Sequence, residues 1–137
     1  MLDASVAAPA EAPATHTDRL TGPPATPFTL DMRFVGRRAV LSVTGEIEMT
    51  TAPALQEALE SAAGRAFEVW LDLTAATFMD STGIHAVARI RARLAEVDRR
   101  LVVICPSGPV LRVFNLTGLD RLLEIHPSRR AAHDAAT

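Results

Sequence analysis

The architecture of this chain is set by residues 67–73, Phe67-Glu68-Val69-Trp70-Leu71-Asp72-Leu73. Apolar side chains at Phe67, Val69, Leu71 and Leu73 share one face, an alternation typical of a strand with one buried face. Five apolar residues then follow at steps of three or four, which predicts a helix: Ile84, Val87, Ile90, Leu94 and Val97. The apolar run Leu101–Ile104 predicts a central strand, so this segment reads as a right-handed βαβ unit with parallel strands.

Upstream of this unit, the pattern predicts a β-hairpin from Leu30–Val35 and Ala39–Thr44 around the turn Gly36-Arg37-Arg38. A loop is predicted over Gly45–Met49. A helix should then begin at Thr50 or Thr51, with Pro53 in its first turn, and stop at Gly64.

Downstream, a third helix is predicted from Ser107 and Pro109 to Thr117-Gly118-Leu119, with Gly118 as a left-handed C-cap. A last strand over Leu122–His126 and a short helix within Pro127–Ala136 complete the order. The expected fold is α/β: a single domain with a mainly parallel sheet of about five strands, opened by a β-hairpin, and about four helices. The alternation at Trp70 further suggests that the helices pack mainly on one side of the sheet.

Composition excludes several chemistries. All 14 basic residues of the 137 are arginine, which removes Schiff-base and phosphate-loop lysines. The single cysteine, Cys105, excludes an internal disulfide and multi-cysteine zinc sites, and is expected to be buried. The four histidines lack the spacing of metal ligands, so we expect no metal and no cofactor. A net charge of −2 and 4% aromatic residues argue against nucleic-acid binding.

Residues 1–27 are rich in alanine, proline and threonine and show no period, so we expect a disordered tail before a domain over residues 28–137. Their composition does not resemble a secretory signal. No apolar run approaches the length of a membrane span. The expected location is the cytoplasm, without direct membrane insertion.

In such a fold, functional loops follow the carboxyl ends of the parallel strands, here Gly45–Thr51 and Thr74–Gly83. Both are acidic and rich in hydroxyl groups. One interpretation is an enzyme that uses Asp72, Asp80 and Glu48 as acid, base or Mg²⁺ ligands. Receiver domains with clustered aspartates also need a lysine, which this chain lacks. We therefore expect no catalytic residues.

The segment Phe78-Met79-Asp80-Ser81-Thr82-Gly83-Ile84 places two hydroxyl groups at a predicted helix N-terminus. Free N–H groups and the helix dipole favour an anion or a phosphorylated hydroxyl there. Gly83 would let another backbone or a phosphate approach closely. Simple capping by Asp80 or Ser81 explains the same residues, because both types are common N-caps.

Three motifs together resemble the STAS domain of bacterial anti-sigma-factor antagonists over residues 28–126. They are Gly45-Glu46-Ile47-Glu48 with Thr51-Ala52, the segment 78–84, and Leu116-Thr117-Gly118-Leu119. The resemblance implies that a serine/threonine kinase, itself the anti-sigma factor, phosphorylates the hydroxyl residue before the glycine, here Thr82, with Ser81 as the alternative. The unmodified protein would bind this kinase and free a sigma factor, and a phosphatase would reset it. The implied partner-binding residues are Glu46, Glu48, Thr50, Asp80, Ser81, Gly83, Ile84 and His85.

The chain departs from the family pattern at two positions. Thr82 stands where the acceptor is usually serine, and Glu48 stands where the first motif usually has aspartate. STAS-like domains also serve as accessory subunits of membrane transporters, which is the alternative function. Arg89, Arg93, Glu96 and Arg100 form either a docking stripe or a solvated helix face. Trp70 is either a partner contact or a covered residue of the sheet.

Overall fold

The computed structural model describes residues 26–136, so the predicted tail lies outside it apart from Thr26 and Pro27. One five-stranded sheet has the order β1-β2-β3-β4-β5. The strands are β1 (Thr29–Val35), β2 (Arg38–Ile47), β3 (Glu68–Met79), β4 (Arg100–Ile104) and β5 (Glu124–His126). The helices of this described part are α1 (Ala52–Arg65), α2 (Ser81–Glu96), α3 (Pro109–Thr117) and α4 (Arg129–Ala136), with a 3-10 turn at Leu119–Arg121.

The predicted topology is confirmed. β1 and β2 form an antiparallel hairpin, whereas β2, β3, β4 and β5 pair in parallel. Each parallel connection includes a helix because two parallel strands cannot be joined by a tight turn. Gly118 adopts the predicted left-handed conformation, with φ 79°, and ends α3.

The predicted loops after β2 and β3 are shorter than expected, because both strands continue to pair. The pairing includes Glu46 with Phe78 and Ile47 with Met79, after register shifts between Ser42 and Thr44 and between Gly45 and Glu46. Small residues and bulges interrupt the alternation of this segment, so a period of two is not visible there. Gly64 also lies inside α1, which ends at Arg65, and the last strand begins only at Glu124.

The main core lies on the face of the sheet that carries Leu41, Leu71 and Val103. Buried residues of α1, α2 and α3 pack there, among them Leu55, Leu59, Val87, Ile90 and Phe114. Phe67 was expected on this face, but it is 48% exposed just before β3, with the Arg37 guanidinium 4.4 Å above its ring.

The opposite face of the sheet is covered too, by α4. Trp70 is only 1% exposed and belongs to a second cluster with Val40, Val102, Ile104 and Ala132. Arg129 of α4 donates to the Asp72 carboxylate at 2.6 Å. Of the two interpretations of Trp70, the structure therefore supports a covered residue of the sheet and not an exposed partner contact. Cys105 is buried as expected, and burial raises the pKa of its thiol to about 11.

Candidate functional site

The two segments predicted to carry function meet at one edge of the sheet. β2 and β3 end side by side, with Ile47 paired to Met79. The Asp80 N–H donates to the Ile47 carbonyl at 3.0 Å, which ties the start of α2 to the end of β2. Parallel pairing thus places Glu46 and Glu48 on the same edge as Asp80.

Asp80 is the N-cap of α2, which settles the choice between Asp80 and Ser81. Its Oδ1 atom accepts from the Thr82 N–H at 2.9 Å and from the Thr82 hydroxyl at 2.5 Å. The hydroxyl bond is the largest cause of a lowered Asp80 pKa, and backbone N–H groups lower it further. Asp80 is therefore an anion at neutral pH that holds the Thr82 hydroxyl in one orientation.

The expected free N–H groups at this helix start are already used. The Thr82 N–H bonds the Asp80 side chain, while those of Gly83 and Ile84 donate to the Asp80 carbonyl at 3.1 and 3.2 Å. An anion at Thr82 would therefore be favoured by the helix dipole, not held by these three donors.

Gly83 is buried, and its role in the fold is steric. A Cβ atom there would lie 2.7 Å from both Ile47 Cγ2 and Met79 Cγ. The absent side chain lets α2 pack directly on the ends of β2 and β3, so the close approach involves the chain's own strands. Ile84 packs against the main core, whereas Ser81 and His85 are exposed.

The turn before α1 is organised by two threonines. The Glu48 carboxylate accepts from the Thr50 N–H at 2.7 Å and from its hydroxyl at 2.6 Å. The buried Thr51 hydroxyl donates to the Glu46 carbonyl at 2.8 Å and accepts from the Glu48 N–H at 2.9 Å. Thr51 thus precedes α1 at the N-cap position but uses its side chain to fix the preceding turn. The Glu48 carboxylate is therefore held by hydrogen bonds from Thr50 in the same turn.

Replacing Thr51 by valine should lower the free energy of unfolding by about 1–3 kcal/mol, because the Glu46 carbonyl and the Glu48 N–H lose part-buried hydrogen bonds. Chemical denaturation of the purified chain measures this change. The matched control is Thr50→Val, at an exposed position in the same turn, which should change stability less. An equal loss of unfolding free energy in the two variants would show that the Thr51 hydrogen bonds stabilise the turn no more than those of Thr50.

An open groove of about 250 Å³ runs between α1 and α2 and includes the Thr82 side chain. Its lining residues are Met49, Ala52, Pro53, Gln56, Thr82, His85, Ala86 and Arg89. At the same edge, Met49 is 72% and Phe78 is 45% exposed, so apolar surface lies beside the acidic residues. This combination is typical of a protein-binding surface.

Sequence reasoning missed Met49 and Phe78 because both were assigned to loops and no period marked them. It placed Arg89 and Arg93 on one stripe, but the structure separates their roles. Arg93 forms an ion pair with Glu60 of α1, whereas Arg89 lines the groove that contains Thr82.

The three carboxylates of the enzyme interpretation do not converge. Asp72 lies on the α4 face and binds Thr74 and Arg129, Glu48 binds Thr50, and Asp80 binds Thr82. Across residues 26–136, no group of three or more histidine, cysteine, aspartate or glutamate side chains could hold a metal ion. Within the same range, the helices are too short or too polar to cross a membrane.

Removing the N-cap side chain of Asp80 should lower the stability of the protein in a pH-dependent way. Asp80→Ala should cost about 0.5–2 kcal/mol of stability, and Asp80→Asn less, because asparagine is also a good N-cap. The lowered pKa means that the ionised carboxylate adds stability above its ordinary pKa of 3.8, which is lost as the pH falls further. Denaturation at pH 7 and below pH 3 measures both effects. The gap between wild type and Asp80→Asn should narrow at low pH; a constant gap would contradict the role of the charge.

Comparison with known proteins supports a single family. The model of the STAS domain family matches residues 29–132. The anti-sigma-F factor antagonist RsfB of Mycobacterium tuberculosis is 32% identical over 100 residues, 72% of this chain and 79% of that protein. The anti-sigma-B factor antagonist of Listeria monocytogenes is 36% identical over 84 residues, 61% of this chain and 74% of that protein.

Solved structures agree with this result. The crystal structure of an anti-sigma factor antagonist from Mycobacterium paratuberculosis has a TM-score of 0.74 at 29% identity, covering 79% of this chain and 92% of that one. The phosphorylated form of the Bacillus protein SpoIIAA, at 21% identity and a TM-score of 0.61, shares the fold over 78% of this chain and 99% of that one. The chain belongs to the STAS domain family and, within it, to the anti-sigma-factor antagonists.

Proposed function

We propose that the unmodified protein binds a serine/threonine-kinase-type anti-sigma factor in the cytoplasm and thereby releases a sigma factor. Phosphorylation of Thr82 by that kinase ends the binding, and a phosphatase restores it. The names of the relatives favour this function over that of an accessory subunit of a membrane transporter.

The position of the Thr82 hydroxyl is the observation that carries this proposal. It lies in the first turn of α2, bonds to Asp80 and belongs to a residue that lines an open groove. The neighbouring Ser81 is more exposed, but no hydrogen bond of its side chain to another described residue orients its hydroxyl. A kinase must place one oxygen in line with the γ-phosphorus, so an oriented hydroxyl is the better acceptor.

The oriented Thr82 hydroxyl supports a direct phosphoryl transfer from ATP. The Thr82 Oγ1 atom attacks the γ-phosphorus of the ATP that the kinase holds, the new O–P bond forms, and the bond to the departing ADP breaks. The hydroxyl proton passes to a base that the kinase supplies. Before transfer, the Thr82 hydroxyl donates its hydrogen bond to the Asp80 carboxylate. Because the O–H bond points toward Asp80, the lone pairs of the Thr82 Oγ1 atom point away from that carboxylate.

The product carries a further charge of about −1.5 to −2 at an acidic edge. The phosphate removes the hydroxyl bond to Asp80 and stands beside that carboxylate, with Glu46 and Glu48 on the same edge. A partner surface complementary to a neutral hydroxyl would then face an uncompensated charge. The proposed partner surface comprises Thr82 with Glu46, Glu48, Thr50, Asp80, Ser81 and His85; Gly83 and Ile84 support it from within.

Mapping the phosphate tests the acceptor. The purified chain is incubated with ATP and the kinase-type anti-sigma factor recovered with it from lysate, then analysed by tandem mass spectrometry. We expect one phosphate on Thr82 in the wild type and in Ser81→Ala, none in Thr82→Ala, and retained transfer in Thr82→Ser. A phosphate on Ser81, or no phosphate at all, would overturn the assignment.

A further inference from the structure

One face of α2 carries both the proposed phosphate acceptor and a cation. Thr82, His85, Ala86 and Arg89 are spaced at i, i+3, i+4 and i+7, and all four line the groove between α1 and α2. Thr82 and Arg89 are about 10 Å apart along the helix axis, two turns of rise. Helical side chains lean toward the N-terminus, so Thr82 leans away from Arg89 and toward Asp80, and the long Arg89 side chain must span most of the two turns to reach a phosphate at position 82.

Arg89 differs from the arginine one turn further along. Arg93 pairs with Glu60 of α1, and Gln56 also donates to that carboxylate at 2.7 Å. Within residues 26–136, no hydrogen bond or ion pair engages the Arg89 guanidinium. Among the described residues, no acid forms an ion pair with this arginine of the groove.

We infer that Arg89 is the internal receptor of the Thr82 phosphate, and that the resulting ion pair occupies the groove between α1 and α2. This inference rests on the proposed phosphorylation of Thr82. Guanidinium groups bind phosphate oxygens through two parallel hydrogen bonds, which is a strong and directional contact. Asp80 repels the phosphate from the cap side, while Arg89 attracts it along the groove toward Ala86.

Such a contact changes how the modification acts. A phosphate that projects into solvent would only add charge, whereas one bound to Arg89 also fills the groove beside Met49, Pro53 and His85. It would engage the arginine as well, so Arg89 could no longer pair with an acidic group of the partner. The phosphorylated protein would therefore be excluded from its partner by both shape and charge.

The test uses the full chain with phosphothreonine installed at position 82 by genetic code expansion, so it requires no kinase. Phosphorus NMR follows the second ionisation of the phosphate as the pH is varied. A nearby cation favours the dianion, so the phosphate of the wild type should ionise at lower pH than that of Arg89→Gln, by about 0.5 pH unit or more. Arg91→Gln is the matched control, because it removes the same charge from a side of α2 that does not line the groove.

We expect Arg91→Gln to titrate like the wild type. Equal titration of Arg89→Gln and wild type, or an equal shift in both variants, would overturn the inference. That outcome is distinguishable from a failure of the proposed function, which would appear as a kinase that leaves Thr82 unmodified in the phosphate-mapping experiment.

Discussion

Thr82→Glu should weaken binding to the anti-sigma factor by roughly 100-fold or more, while Thr82→Ala binds at least as tightly as the wild type. A charge buried at an interface without a partner costs about 3–5 kcal/mol, and about 1.4 kcal/mol corresponds to each factor of ten in affinity. Thr82 lines the groove, and Asp80, Glu46 and Glu48 lie at the same edge, so the added carboxylate increases the negative charge that the partner surface must accommodate.

Isothermal titration calorimetry against the purified anti-sigma factor measures this difference. The fold should survive, because a negative charge in the first turn of α2 is favourable to the helix dipole. Ser61→Glu is the matched control and should bind like the wild type, since it adds the same charge at an exposed side chain of α1 outside the proposed partner surface. If Thr82→Glu bound as tightly as Thr82→Ala, the charge at position 82 would not control the interface.

Gly45→Ala should lower the free energy of unfolding by about 3 kcal/mol, the largest loss of stability expected of a single methyl group here. Gly45 has φ +95°, which other residues rarely adopt. A Cβ atom would also lie 2.8 Å from the Pro27 carbonyl oxygen and 2.9 Å from the Phe28 Cα atom. Both are backbone atoms, so they cannot yield by rotation of a side chain.

Gly36→Ala separates the two causes. Gly36 has φ +61° with no atom within 4 Å of the added Cβ, so that variant meets only the conformational cost of about 1 kcal/mol. Denaturation curves of the two variants therefore differ by the cost of the contact between Gly45 and residues 27–28, together with the greater backbone strain of a Cβ atom at φ +95° than at φ +61°. Equal losses would show that the chain before β1 does not pack on β2 in solution.

The strands and helices of this fold were predictable wherever burial imposes a period. The alternation over residues 67–73 predicted the core of β3, and the spacing of Ile84, Val87 and Ile90 predicted α2. The strand ends were not predictable, because Gly45 and the alanines opposite it carry no alternation and the register shifts there. The position of α4 depends on tertiary contacts such as Arg129 with Asp72, which leave no local pattern in the sequence.

The candidate functional site was also predictable only in part. A cap at Asp80 or Ser81 was predictable because capping residues occupy fixed positions at a helix start, whereas Thr82 was singled out by the family resemblance of its motif. The steric role of Gly83 and the participation of Met49 and Arg89 in the groove were not identifiable, since they arise from how α1, α2 and the strand ends pack together.

Release of the sigma factor is the measurement that tests the central claim most directly. A fluorescently labelled sigma factor is first bound to the anti-sigma factor, and the chain is then added with Thr82 either unmodified or fully phosphorylated. We predict that the unmodified chain displaces the sigma factor in a dose-dependent manner. The phosphorylated chain should do so only at concentrations roughly 100-fold higher, as expected when the phosphate takes about 3 kcal/mol from the free energy of binding. Equal displacement by both forms, or none by the unmodified form, would contradict the account.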